Sequence, residues 1–215
     1  MAAQSFSFFY NHVVKKDYKT PSVLFPAHSS KLPAVLSKQQ MILVFKQVRN
    51  LKHQTLLALL YSTGMRLSEI ANLKIEDIDS KLMRIKIVSG KGNKDRFVQL
   101  SEIMLQQLRC YYKQYKPQLY LFNGYAKGKK YHTRSIQTVL HNALLKAGLQ
   151  HKNFSIHSIR HSFATHLLDS GTDLHTIKEL MGHSHLQQTT RYLHLSTKRI
   201  QHLINPLDAL FVNNQ

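Results

Sequence analysis

The strand signal of this sequence is confined to one short hairpin, and helical patterns surround it on both sides. Residues 82–88 alternate apolar with basic side chains, which is typical of a strand with one face in water, and residues 96–100 fit the partner strand. A turn containing two glycines and two lysines, residues 89–95, joins them. Capped segments with helical periodicity precede and follow this hairpin. The sequence therefore predicts a mainly α fold with a small antiparallel β-sheet.

The helices are indicated by caps at their beginnings and by apolar residues three to four positions apart. Ser37 with Gln40 forms a capping-box pattern, and Ser101 can cap a later helix. The predicted helices span residues 37–48, 52–62, 67–73, 101–115, 134–147, 157–169, 173–181 and 197–207, with a short helix or turn at 187–193 and a short strand at 119–122.

The charge of the chain predicts a polyanionic partner. It carries 30 lysines and arginines against 11 aspartates and glutamates, a formal net charge of +19. Nucleic acid is the most common partner of so basic a protein. The longest unbroken apolar run, residues 56–61, is far shorter than the roughly 20 residues of a membrane span. We therefore expect binding to nucleic acid and no insertion into a membrane.

Metal-dependent chemistry is disfavoured by the acidic and cysteine content. The one tight acidic cluster, residues 76–79, fits a polar turn better than a Mg²⁺ site. His157 and His161 have the spacing of a zinc pair but enclose no carboxylate and stand beside an arginine. Cys110 is the only cysteine, which excludes an intrachain disulfide, and we expect it to be buried as a small apolar side chain. The sequence predicts an activity without metal or cofactor.

Two arginines and a lysine have side chains suited to a phosphodiester. The planar guanidinium groups of Arg66 and Arg160 can each hold two phosphate oxygens. Lys91 lies on the glycine-flanked turn and could protonate a leaving oxygen, although Lys94 on the same turn could do so as well. Taken singly, Arg66 is more often a surface arginine and Lys91 more often part of a solvated hairpin tip. Arg160 lies at the edge of the apolar stripe of its helix, and a half-buried arginine needs an anionic partner.

Two histidines and a tyrosine complete the candidate chemistry. His157 and His183 can exchange protons near neutral pH. Tyr192 is a candidate nucleophile if cationic groups or a base assist it. Its neighbours in residues 189–194 are mostly polar, which predicts an exposed side chain able to reach a ligand.

Together, these residues resemble the ordered signature of the tyrosine recombinases, the phage-integrase family that includes bacterial chromosome-dimer resolvases. The order in this sequence is Arg66, Lys91, His157, Arg160, His183 and Tyr192. Two stretches carry the resemblance most specifically, TGMRLSEIANL at 63–73 and HSIRHSFATHLLDSGTDLHTIKELMGHS at 157–184. The resemblance extends over residues 36–207 and implies the catalytic domain of a bacterial integrase or dimer resolvase.

The resemblance implies a mechanism as well as a fold. Tyr192 would attack the scissile phosphate and form a 3′-phosphotyrosyl bond. Arg66 and Arg160 would hold the non-bridging oxygens, and Lys91 would protonate the leaving 5′-oxygen. Because the phosphotyrosyl bond retains the energy of the broken bond, rejoining would need no cofactor.

The remaining roles also follow from the resemblance. His157 would assist proton transfer from Tyr192, and His183 would hydrogen-bond the phosphate. Glu69 would support the cluster by orienting it. Further residues are expected to contact DNA: Lys94, Arg96, Arg134, His161 and Arg191.

The resemblance further implies a domain organisation and an assembly. Residues 1–16 would be the remnant of an N-terminal core-binding domain, residues 17–35 a linker, and residues 36–215 the catalytic domain. We expect this chain alone to bind double-stranded DNA weakly and with little sequence preference. The helix at 197–207 would join four protomers on two duplexes, although it could instead pack on its own core. The expected location is the cytoplasm, in association with the nucleoid.

Two other functions are compatible with parts of this pattern. A type IB topoisomerase uses similar phosphate chemistry without strand exchange. The short chain and the sequence of residues 157–168, which resembles the bacterial integrases, argue against it. A DNA-binding remnant without catalytic activity is the other alternative.

Overall fold

The computed structural model describes residues 8–15, 33–88, 95–125 and 128–195. The chain divides into two compact units, residues 1–31 and residues 32–215. In the first unit, Phe9–Val13 form a short π-helix with no buried side chain. The linker predicted at 17–35 lies outside the described residues except for its last three positions.

The second unit is mainly helical, as the sequence predicts. Its helices are α1 (Lys38–Lys46), α2 (Leu51–Thr63), α3 (Leu67–Asn72), α4 (Glu102–Tyr115), α5 (Thr133–Lys146), α6 (Ile156–Asp169), α7 (Leu174–Met181) and α8 (Gln187–Thr190). Single 3₁₀ turns occur at Ile75–Asp77, Gln150–Lys152 and Arg191–His194. The helix predicted at 197–207 lies outside the described residues.

Local capping explains where several of these helices begin. The Ser37 hydroxyl accepts the Gln40 N–H at 3.2 Å, and the Gln40 side chain accepts the Ser37 N–H at 3.0 Å, which completes the predicted capping box. The Ser101 hydroxyl accepts the N–H of Met104 at 3.2 Å at the start of α4. Each cap satisfies a backbone donor that has no partner within its own helix.

The sheet has three short antiparallel strands in the order β1 (Ile78–Asp79), β2 (Arg84–Ile87) and β3 (Arg96–Gln99). Its register pairs Ile85 with Val98 inside the core and Lys86 with Phe97 on the exposed face. The predicted hairpin is therefore confirmed, and β1 is an additional edge strand where the sequence predicts only a polar turn. The turn that joins β2 to β3 lies outside the described residues from 89 to 94, and it carries Lys91 and Lys94.

The strand predicted at 119–122 is wrong. The backbone N–H of Leu121 donates to Leu73 O at 2.8 Å, and Ile75 N–H donates to Leu119 O at 3.2 Å. These bonds form only an isolated bridge, because the segment opposite enters a 3₁₀ turn directly after Lys74. The N–H of Lys74 donates to the Asp77 side chain at 2.8 Å and so is not available to a strand. The ladder therefore has no partner along which to continue.

The core is built around α2, which packs against both α4 and α6. Leu56, Leu57, Leu59 and Leu60 of this helix are at most 1% exposed. Burial of one such leucine contributes about 1.5–3 kcal/mol of transfer free energy. The helix ends in this core at Gly64, so the residues that follow it stand on a rigid support.

Two surface properties complete the fold. Cys110 is exposed on α4, so the expectation of a buried cysteine is wrong. Leu108 and Tyr111 on either side of it occupy the core-facing stripe of the helix, and Cys110 lies outside that stripe. Within the described residues, every helix is too short or too polar to cross a membrane.

Candidate active site

The C-terminal end of α7 binds three arginine side chains through consecutive backbone carbonyls. The pairs are Arg96 Nε with Leu180 O at 2.8 Å, Arg160 Nη2 with Met181 O, and Arg66 Nη2 with Gly182 O at 2.8 Å. The last carbonyls of a helix have no partner within the helix, and the helix dipole makes this end attractive to cations. Helix α7 therefore gathers guanidinium groups from β3, α6 and the segment between α2 and α3.

Glu69 on α3 holds two of these arginines together. Its carboxylate accepts both terminal nitrogens of Arg96 at 2.8 Å each, and it accepts Arg66 Nη1 at 2.8 Å and the Arg66 backbone N–H at 2.6 Å. Burial alone would raise the pKa of Glu69, but the hydrogen bonds from Arg96 and Arg66 outweigh it and lower the pKa to about 2. Glu69 is thus a carboxylate at any physiological pH.

Arg160 lies deepest among the three arginines, with 5% of its surface exposed. Its Nη1 donates to Gly64 O, so its guanidinium spans the C-terminal ends of α2 and α7. Burial, followed by repulsion from Arg66, lowers the pKa of Arg160 to about 10. The group still carries its charge at pH 7, and its two direct partners are neutral carbonyls.

We call Arg66, Arg96, Arg160 and Glu69 the arginine cluster. It contains three guanidinium groups and one carboxylate, so positive charge is in excess. The Arg66 side chain is 31% exposed, which opens the cluster to solvent at this point. A buried cation without a counter-charge is costly unless an anion binds beside it. The cluster is therefore a candidate anion site.

Tyr192 is buried beside this cluster, with 1% of its surface exposed. Its ring packs in a small apolar group with Ala164, Ile177 and Met181. Burial raises the pKa of Tyr192, and the positive charge of Arg160 opposes that shift. The hydroxyl lies 3.0 Å from Nδ1 of His161. The expectation of an exposed Tyr192 is wrong because the 3₁₀ turn at Arg191–His194 places the ring inward.

His183 lies against the same tyrosine. The two rings are nearly parallel, at 10°, with their centroids 6.3 Å apart. Nδ1 of His183 lies 2.9 Å from the hydroxyl oxygen of Thr189, which is fully buried. Burial, followed by the charges of Arg160 and Arg66, lowers the pKa of His183 to about 4, so the imidazole is neutral at pH 7.

Similarity to known proteins identifies the family. Residues 34–199 match the family model described as the phage integrase family. The chain belongs to this family.

Individual relatives agree with this assignment. The tyrosine recombinase XerD of Staphylococcus saprophyticus is 33% identical over 213 residues, which covers 92% of this chain and 71% of the relative. The crystal structure of XerA recombinase superposes with a TM-score of 0.72 at 27% identity and covers 100% of this chain and 74% of that one. A post-cleavage complex of the XerH site-specific recombinase with its difH substrate has a TM-score of 0.75 at 25% identity.

The superposition on XerH covers 88% of this integrase-family chain and 59% of the XerH chain. The resemblance to tyrosine recombinases, the fold class and the enzyme class predicted from the sequence are all confirmed. The topoisomerase alternative is not favoured by these relatives.

The phage-integrase fold brings most of the predicted catalytic residues to one place. Arg66, Arg160, His183 and Tyr192 lie around the end of α7, with Glu69 behind them. His157 is exposed in the first turn of α6, one turn before His161. Lys91, and Lys94 as its rival, lie outside the described residues, so their place in the site stays a prediction.

Arg96, which the sequence predicts as a DNA contact, lies inside the protein. It is 9% exposed, and all three of its nitrogens donate to Glu69 or to Leu180 O. Strand periodicity contains a signal for this, because Arg96 stands two residues before the buried Val98 and so shares its inward face. Arg96 supports the cluster from within the protein.

His161 also has a different surrounding from the one expected of a DNA contact. It is half-buried and faces the Tyr192 hydroxyl. No local pattern could reveal this contact, because it joins residues 31 positions apart. Arg134 and Arg191 are exposed, and their contacts with DNA stay predictions. Among the residues that the structure describes, no three histidine, cysteine or acidic side chains are grouped as metal ligands.

Proposed function

We propose that this chain is a site-specific recombinase that cuts and rejoins DNA through Tyr192. The observation that carries the proposal is the excess positive charge of the arginine cluster next to a tyrosine hydroxyl. Met181 joins the two, because its carbonyl accepts Arg160 and its side chain packs against Tyr192. A phosphodiester is the anion that such a pair of groups would both bind and attack.

Arg66 and Arg160 would bind the non-bridging oxygens of the scissile phosphate. A guanidinium has five N–H donors, and the carbonyls of Gly64 and Met181 occupy two of those of Arg160. The remaining donors are held in place by the same contacts. Donors that are positioned before the reaction stabilise the charge of the transition state without reorganisation.

The proposed reaction is a transesterification in which bonds are exchanged one for one. The bond from Tyr192 Oη to phosphorus forms while the bond from phosphorus to the 5′-oxygen breaks. Lys91 would give its proton to the leaving 5′-oxygen, and the family resemblance assigns His157 to the proton of Tyr192. Attack by another 5′-hydroxyl reverses these steps and joins the strand to a new partner.

His183 would hydrogen-bond the phosphate in its neutral form. When the Thr189 hydroxyl donates to Nδ1 of His183, the ring carries its proton on Nε2. That N–H is then a donor for a phosphate oxygen. The low pKa of His183 agrees with a role as hydrogen-bond donor that does not depend on protonation.

The partner in this proposal is double-stranded DNA. Four protomers would assemble on two duplexes through the segment at 197–207, and the protein would act in the cytoplasm on nucleoid DNA. The relatives support the choice of partner, because the structure of XerH is that of a complex with its difH substrate.

The covalent intermediate gives the direct test. A pool of nicked duplexes with randomised flanking sequence serves as the substrate, because the short strand released by cleavage diffuses away and prevents rejoining. Adducts that survive in detergent are recovered and sequenced, and enrichment of one core sequence would identify a preferred cleavage site. Tyr192→Phe should give no adduct while retaining binding to the selected duplex.

The products separate the alternatives. Four-way junctions or exchanged duplexes from two copies of the selected site would support recombination, whereas relaxation of supercoiled plasmid alone would indicate a topoisomerase. If the wild-type protein binds DNA but forms no adduct, the chain is a remnant without catalytic activity.

A further inference from the structure

The hydroxyl of Tyr192 is bound by His161 and not by the histidine that the family resemblance assigns to it. Nδ1 of His161 lies 3.0 Å from Tyr192 Oη, and the two ring centroids are 5.7 Å apart. His157 lies one helical turn earlier on α6 and is exposed. The contact therefore singles out His161 among the histidines near the cluster.

The position of His161 is set by its neighbours in α6. Arg160 directly before it is anchored at both terminal nitrogens, and Ser162 directly after it is fully buried and accepts the Leu36 N–H at 2.8 Å. These contacts fix the rotation of the helix at this point. The backbone of His161 is therefore held in place beside the cluster.

The low pKa of His161 leaves one of its ring nitrogens free to accept this hydrogen bond. Burial, followed by the charges of Arg191, His157 and Arg160, lowers the pKa of His161 to about 4. His183, whose ring lies against that of Tyr192, is itself neutral at pH 7. A neutral imidazole whose proton lies on Nε2 accepts the Tyr192 O–H at Nδ1, and this is the tautomer in which His161 can take the proton.

We propose that His161 accepts the proton of Tyr192 when the hydroxyl attacks the phosphate. The proton moves from Oη to Nδ1 as the oxygen–phosphorus bond forms, and it returns to Oη when a 5′-hydroxyl displaces the tyrosine. Burial and charge repulsion together keep His161 neutral, and a bound phosphodiester brings negative charge next to Arg160 that offsets the repulsion. This inference rests on the proposed function of Tyr192 as nucleophile.

The chain contains a matched control for this pair. His166 is also on α6, and its Nδ1 lies 2.8 Å from the hydroxyl of Tyr61. Burial lowers the pKa of His166 as well. The pair has the same chemistry, on the same helix, without contact to Tyr192.

The experiment compares the rate of adduct formation in a single turnover for His161→Asn, His157→Asn and His166→Asn. Asparagine can accept the Tyr192 hydrogen bond through its side-chain oxygen but cannot take up the proton. We expect His161→Asn to lose about 10²- to 10⁴-fold in rate, and its rate to rise with pH as hydroxide replaces the base. His166→Asn should match the wild-type protein, and His157→Asn should keep the wild-type pH profile.

Two results would overturn the inference. One is a His161→Asn variant with the wild-type rate and pH profile. The other is a His157→Asn variant whose rate falls and then rises with pH in the way expected of His161→Asn. Thermal melting and DNA binding of each variant show whether it is folded. A wild-type protein without any adduct would reject the proposed function of Tyr192 itself, which is a distinguishable outcome.

A second measurement does not depend on DNA. Nitrogen NMR of the wild-type protein reports which ring nitrogen of His161 carries the proton. We expect a proton on Nε2 and a bare Nδ1 whose resonance shifts in Tyr192→Phe, with the resonances of His166 unchanged. A proton on Nδ1 would exclude His161 as the acceptor.

Discussion

Arg96 and Glu69 form a bidentate ion pair in which each terminal nitrogen of the arginine lies 2.8 Å from a different carboxylate oxygen. Both side chains are less than a tenth exposed, at 8% and 7%. The pair connects β3 to α3, and the Arg96 Nε adds α7 through Leu180 O. Three elements that surround the proposed phosphate site are thus held by one side chain that does not face the phosphate.

Removal of this arginine should destabilise the fold strongly. Arg96→Ala leaves Glu69 with a buried charge and one arginine, for which we expect a loss of about 3–5 kcal/mol in the free energy of unfolding. Arg96→Lys keeps the charge and should lose less. Lys86→Ala is the control, because Lys86 forms an ion pair with Asp95 that is about half exposed, at 3.3 Å, and should cost at most about 1 kcal/mol. Urea unfolding measures all three, and equal losses for Arg96→Ala and Lys86→Ala would contradict the prediction.

Acid should destabilise the protein through Glu69. Its pKa is about 2 in the folded protein against an ordinary value of 4.5, so the folded state binds its proton less readily than the unfolded chain. The resulting stabilisation, about 3 kcal/mol, is complete above pH 4.5 and is lost as the pH falls toward 2.

Glu69→Gln tests this pH dependence. The variant lacks the titrating group, so the difference in unfolding free energy between wild type and variant should shrink steadily over the same acid range. Glu76→Gln removes an exposed carboxylate from the neighbouring 3₁₀ turn and serves as the control. A constant difference between wild type and Glu69→Gln from neutral pH down to the acid end would show that Glu69 does not contribute in this way.

Gly64 should tolerate alanine less well than Gly148, although both have positive φ angles, 61° and 70°. At Gly148 an added Cβ meets no atom within 4 Å, and we expect only the backbone cost of about 1 kcal/mol. At Gly64 the Cβ would lie 2.3 Å from Cδ1 of Phe163. The shift of Phe163 or of the backbone that this contact requires should cost a further ~1–3 kcal/mol. It should also slow adduct formation, because the carbonyl oxygen of Gly64 binds Arg160. Similar stability and activity of the two alanine variants would contradict this prediction.

The salt dependence of DNA binding should reveal which exposed arginines contact phosphates. Arg191 is exposed next to Tyr192, and Arg191→Ala should reduce the slope of log affinity against log salt by about one unit. Arg109 is exposed on α4, outside the predicted set of contacts, and Arg109→Ala should leave the slope unchanged. Fluorescence anisotropy over a salt series measures both variants on the same duplex. An unchanged slope in Arg191→Ala would remove Arg191 from the predicted interface.

Much of the local structure could be predicted because its causes are close together in the chain. The capping box of Ser37 and Gln40 and the alternation in β2 depend on residues within a few positions of one another. The strand expected at 119–122 fails for a different reason. Its partner segment is about 45 positions earlier and turns away after Lys74, which no pattern within 119–122 encodes.

The sequence by itself determined the order of the chemical groups, the helical fold with one small sheet, and the family. Only the tertiary structure decided which of those groups are buried and what each one contacts. Arg66 meets Gly182 across 116 positions, Arg160 meets Gly64 across 96, and His161 meets Tyr192 across 31. The physical reason is that burial and hydrogen-bond partners depend on packing between helix ends distant in the chain. Sequence periodicity can place a residue on a face, but it cannot name the residue opposite.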